Sequence, residues 1–196
     1  MSFTNSTVGK KCMALAGLIW FAYVIFHMLS LLVFHQGAES FNDFYQQLNQ
    51  LSLYYLLLVV LIALLAFHVY TAIVRQLANR KSKGAGYKKP YPHEISRVVA
   101  WIGASTLFAF IVIHFVQMKV LIDKQWYEAI IAASSAPFML AFYVVGLLTL
   151  SVHLHHGLSN VLQTLGVTHK PYHYLVIIIV LMIFVGFLSV LVGAIL

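Results

Sequence analysis

The chain has 196 residues, of which 62% are hydrophobic and only 9% are charged. A soluble domain is about 45–50% apolar and about 25% charged, so this composition excludes a soluble globular domain, a disordered tail and a fibrous repeat. The net charge of +7 would suggest nucleic acid in a soluble protein, but the basic residues here flank apolar spans, which excludes that reading and points to a membrane protein.

A membrane helix needs about 20 mostly apolar residues to cross a hydrocarbon core about 30 Å thick. Five stretches meet that length, at roughly 12–34, 53–75, 97–119, 136–160 and 174–196. The first follows Lys10 and Lys11, as a signal peptide would, but it is too long and lacks a small-x-small cleavage site. It reads as a retained membrane helix. Pro92 and Pro137 read as the first helical residues of the third and fourth spans, and Pro171 as a break before the fifth. The connections read as short loops, with no second soluble domain. Trp126, Tyr127 and Tyr172 fit a belt of interfacial anchors. The chain is thus a single all-α membrane domain, 1–196.

Ten of the twelve Lys and Arg residues fall on one side of these spans: Lys10, Lys11, Arg75, Arg80, Lys81, Lys83, Lys88, Lys89, Arg97 and Lys170. Only Lys119 and Lys124 fall on the other, with Glu39, Asp43, Asp123 and Glu128. The positive-inside rule then predicts a cytoplasmic N-terminus and an outer C-terminus. A lone Cys12 excludes an internal disulfide framework. No phosphate loop, Ser-His-Asp order or CxxC pair is present, so any catalytic domain belongs to another chain.

Each of the first four spans carries a histidine well inside it: His27, His68, His114, and the cluster His153, His155 and His156. One such residue is commonly a hydrogen-bonded core histidine, but four spans alike point to function. Depth sorts them. His27 and His114 lie past the centres of outward-running spans, and His68 and His153 past the centres of inward-running ones. Each pair is predicted about 6–9 Å from the midplane, one outer and one inner. Two bis-histidine haems stacked across an antiparallel bundle of the first four spans are the economical explanation. Such six-coordinate iron leaves no open position for substrate, so the expected chemistry is single-electron transfer.

Within the cluster, His155 lies about 200° around the helix from His153, whereas His156 lies only about 60° away and remains a rival ligand. Ala72 and Gly157, four residues after His68 and His153, leave room for a flat ring on the same face. Arg75 and Asn160 follow seven residues after those histidines. Arg75 would pair with a haem propionate or serve as an ordinary interfacial arginine. His153 is taken as the ligand and His156 as a neighbouring contact to haem or quinone. His93, His169 and His173 read as loop histidines, and His35 lies at the outer interface.

The chain resembles the cytochrome b membrane anchor of succinate:quinone oxidoreductases, in the class with one five-helix polypeptide and two haems b. The resemblance is carried by VGKKCMALAGL before His27, FNDFYQQL in the outer loop, FHVYTAIVR around His68 and SRVVAWIG before His114. Its most specific stretch is HLHHGLSNVLQTLGVTHKPY, residues 153–172. It implies that His68 and His153 hold the haem nearer the cytoplasm, and His27 and His114 the distal one. It also implies a bacterial cytoplasmic membrane, a flavoprotein and an iron–sulfur subunit docked on the basic inner loops, especially 75–97, and menaquinone or ubiquinone as the electron partner. A higher oligomer of that complex is compatible with it. Some fumarate reductases of this class carry a buried glutamate two residues before the histidine of span four. Ser151 stands there in this chain, and no span holds a carboxylate for a proton path. Glu39, Asp43 and His35 are the candidate polar groups for an outer quinone site. The alternatives are a quinol:fumarate reductase anchor, a di-haem anchor of formate dehydrogenase or hydrogenase, and a histidine-lined transporter without haem.

Overall fold

The computed structural model describes residues 7–81, 94–121, 125–164, 166–167 and 169–196, and every regular element among them is helical. Helix α1 (Thr7–Leu31) ends in a 3-10 turn, Leu32–Gln36, and is followed by α2 (Ala38–Gln50) and α3 (Ser52–Lys81). Helix α4 (Glu94–Val116) widens into a π-helical turn at Gln117–Leu121. Then come α5 (Trp126–Ser135), α6 (Pro137–Thr164) and α7 (Lys170–Gly193).

Five helical stretches are long and apolar enough to cross a membrane: Thr7–Gln36, Ser52–Ala78, Trp101–Val120, Pro137–Thr164 and Pro171–Gly193. They coincide with the expected spans, with ends shifted by a few residues. Their outward faces carry large exposed apolar side chains, such as Val59, Ile102 and Val185. Apolar faces this extensive suit the hydrocarbon of a membrane rather than water.

Pro137 heads α6 as expected. Pro171 does not break the chain before the last span. It sits in the first turn of α7, where its missing N–H would have had no helical partner. Pro92, His93, Lys83, Lys88, Lys89, Asp123 and Lys124 lie outside the described residues.

Two connections differ from the short loops expected. Both α2 and α5 are helices. In α2 the apolar residues Phe41, Phe44, Tyr45 and Leu48 recur at i, i+3, i+4 and i+7, which gives one apolar face and one polar face. That pattern is invisible to a search for uniformly apolar runs. The buried faces meet at Phe34, Phe41, Ile130, Val190 and Ala194, which form a cluster capping one end of the structure. Tyr127 stacks on Phe34 with ring centres 4.3 Å apart, and Trp126 packs against the same cluster. These two are therefore inward-facing rather than interfacial anchors, whereas Tyr172 is exposed.

Helix α1 packs on α3, α6 and α7, while α6 packs on α4 and α7. The indole of Trp20 donates to the Leu61 carbonyl at 3.0 Å, tying α1 to α3. Close approach of α4 to α6 depends on Gly146, because a Cβ there would run into the ring of Phe110. Gly146→Leu is expected to cost about 1–3 kcal/mol by overpacking. Thermal melting in detergent should show the loss, and Gly103→Leu, where a Cβ meets nothing within 4 Å, should melt like the parent protein.

Candidate metal centres: two histidine pairs on one cavity

Four helices each contribute one histidine: His27 from α1, His68 from α3, His114 from α4 and His153 from α6. They come together as two pairs, the same two that depth within the spans singles out. The rings of His27 and His114 have centres 6.0 Å apart and are tilted by 55°. Those of His68 and His153 are 6.4 Å apart at 76°. An imidazole nitrogen binds a first-row metal at about 2 Å and lies about 1 Å from its own ring centre, so two imidazoles on opposite sides of one metal have ring centres about 6 Å apart. Ring pairs at this distance also occur as ordinary aromatic contacts. Two such pairs, drawn from four helices, are a more demanding arrangement.

Both pairs line one cavity of about 1100 Å³. A single drug-sized ligand takes a pocket of about 300–1000 Å³, so this volume suits something larger. Its other walls are mainly apolar and aromatic side chains of α1, α3, α4 and α6, including Phe21, Leu65, Phe110 and Leu150. Ala72 and Gly157 line it as well, and a Cβ on Gly157 would meet nothing within 4 Å. There is thus open space on the histidine face of α6, where a planar ring would need it. Among the described residues no three of His, Cys, Asp and Glu cluster as a conventional metal-ion site would. The candidate histidine donors come instead in twos.

Two of the imidazoles are oriented by partners on neighbouring helices. His68 Nδ1 lies 3.4 Å from the Met13 carbonyl, which can only accept, so Nδ1 carries the proton and Nε2 is left with its lone pair. The His114 arrangement works through a relay. Tyr143 donates its hydroxyl proton to Gln117 Oε1 at 2.9 Å, and its oxygen, 3.2 Å from His114 Nδ1, accepts the N–H of the ring. His114 Nε2 is therefore also the free donor. Partners of this kind fix tautomer and ring orientation in metal-binding histidines. His27 lies parallel to the Tyr23 ring with centres 5.7 Å apart.

The remaining sequence candidates divide between the cavity and the surface. Arg75 and His156 line the cavity, and Asn160 Nδ2 donates to His156 Nε2 at 2.9 Å. His155 is exposed on another face of α6. His35, Glu39 and Asp43 are exposed and do not line the cavity, and His35 Nε2 instead meets Ser189 Oγ at 3.1 Å.

At the capped end the polar groups on the cavity are Ser30, Tyr45, Lys119 and Ser134, none of which stood out in the sequence. Ser30 Oγ and Tyr45 Oη share a hydrogen bond of 2.9 Å. Burial pushes the Tyr45 phenol well above its usual range, so it stays protonated. A lysine at a span end reads as an interfacial flank, and Tyr143, 29 positions from its histidine, likewise leaves no local pattern.

Comparison with family models, with curated proteins and with solved structures finds no match for the chain. The functional argument therefore rests on the residues themselves.

The open space beside Gly157 gives a direct test of what the cavity is for. Gly157→Leu is expected to fold and melt like the parent protein, because no protein atom occupies that space. Titration with haemin, followed by absorbance, should show it taking up about half the porphyrin that the parent takes up.

Proposed function

We propose that the chain is a di-haem cytochrome b that anchors a succinate:quinone oxidoreductase in the bacterial cytoplasmic membrane, passing electrons between an iron–sulfur subunit and membrane quinone. One observation carries the di-haem reading: two histidine pairs at one-metal spacing, from four spans, on a single cavity. His68 and His153 would hold one haem and His27 and His114 the other, within a bundle of the first four spans. Haem so ligated supplies a one-electron couple with no vacant position for oxygen or substrate.

The residues of this chain do the rest. The Met13 carbonyl and the Tyr143 hydroxyl hold the protons of His68 and His114 on Nδ1 and so leave Nε2 of each with its lone pair for a metal. Apolar side chains from four helices exclude water and keep the surroundings of low dielectric, which tunes the redox balance. Ala72 and Gly157 keep the ring space clear.

The orientation follows from charge. Ten of twelve basic residues would face the cytoplasm, the capped end would face outward, and the basic segment 75–97 would dock the iron–sulfur and flavoprotein subunits. The succinate-linked identity is supported by the sequence resemblance, above all by residues 153–172.

Purified protein should show a reduced b-type α-band and about two irons per chain. His68→Ala and His153→Ala should each remove one and the same haem, and His27→Ala and His114→Ala the other. A colourless protein, as a histidine-lined transporter would be, would overturn the reading. For orientation, alkaline phosphatase fused after Leu196 should be active and green fluorescent protein fused there dark. A flavoprotein should co-purify with the untagged partner subunits.

A further inference from the structure

We infer that Lys119 is the charge partner of a carboxylate on the ligand held by His27 and His114, and that Arg75 does the same for the His68–His153 pair. The two ligands would then turn their acid groups toward opposite ends of the cavity. This inference rests on the di-haem reading, since haem is the ligand that brings two carboxylates on one edge of a flat ring.

Lys119 sits on the π-helical turn after α4, half-buried and on the cavity wall. Its ammonium group meets only neutral partners. Nζ donates to Asn49 Oδ1 at 2.6 Å and lies 4.5 Å from the centre of the Tyr54 ring. No described carboxylate approaches it. Glu39 and Asp43 are exposed on α2 and off the cavity, and Glu128 accepts from Asn42 at 3.3 Å. Arg75 is in the same position at the other end, where its guanidinium meets only the weakly accepting Met13 sulfur, at 3.8 Å.

A cation within a span is costly unless it is paired, and among the described residues neither cation meets a carboxylate. A neutral carbonyl would hydrogen-bond Lys119 but leave the charge uncompensated. A carboxylate does both. Register agrees: Lys119 follows His114 by five residues and Arg75 follows His68 by seven, or about 8 and 10 Å along their helices, within reach of the edge of a ring centred on the histidine. A second observation points to ligand oxygens at the capped end. Ser134 lines the same cavity, is 2% exposed, and its Oγ has no hydrogen-bond partner among the described residues. Buried hydroxyls are rarely left so, and a ligand oxygen would satisfy it.

The test is a spectroelectrochemical titration of both haems in the intact complex carrying Lys119→Gln, Lys119→Arg or Arg75→Gln. An unpaired carboxylate favours the ferric form, so Lys119→Gln should lower the midpoint potential of the His27–His114 haem and leave the other unchanged. Lys119→Arg should stay near the parent value, and Arg75→Gln should lower only the His68–His153 haem. Loss of the outer haem in Lys119→Gln but not in Lys119→Arg would also support the inference. It is overturned if Lys119→Gln retains both haems at parental potentials, if Lys119→Arg is affected as much as Lys119→Gln, or if quinone reduction falls while the potentials hold, which would assign Lys119 to a quinone oxygen. A parent complex without haem would be a different failure, that of the di-haem reading itself.

Discussion

An imidazole inside a membrane span has no water to satisfy it, and this constraint organises the structure. Each ring nitrogen must find a proton acceptor, a proton donor or a metal. His68 and His114 find an acceptor for Nδ1 on a neighbouring helix, which leaves the lone pair on Nε2 of each. These bonds add to the apolar packing of the helices: the Met13 carbonyl of α1 meets α3, and Tyr143 of α6 meets α4. All four of these helices line the cavity, although α1 packs on α3 and α4 on α6.

The spans were legible because a bilayer demands one simple thing, length in apolar residues, and five runs supply it. The pairing of histidines was legible for a less direct reason. The bias of lysine and arginine gives each span a direction, and direction turns sequence position into depth. The sequence favours His153 over His156 by its small neighbour four residues on, and the structure separates the two in space. His153 lies beside the His68 ring, whereas His156 is exposed and takes a hydrogen bond from Asn160 one turn away.

What escaped the sequence was either short or contrary to pattern. Helix α2 has modest apolar content arranged on one face, and α5 is apolar but only ten residues long, so a search for membrane spans passes over both. Their apolar faces gather Phe34, Phe41 and Ile130 into the cap, and this turns Trp126 and Tyr127 inward where composition suggests an interface. Glu39 and Asp43, the carboxylates that looked best placed for chemistry, lie on the polar face of α2, because amphipathicity sends them out. The groups that do reach the cavity there, Ser30, Tyr45 and Lys119, are individually unremarkable in the chain.

The π-helical turn at Gln117–Leu121 has a further consequence. A π turn holds one residue more than the α turn it replaces, so it behaves as a local insertion absorbed without breaking the helix. A homologous chain one residue shorter here would keep α4 and His114 in register up to that point. Everything beyond would rotate by about 100°. The lysine would leave the cavity wall while both histidine pairs stayed in place. One codon in this turn therefore separates two heritable traits, the frame of paired histidines and the charge at its capped end, and lets the second diverge while the first is held.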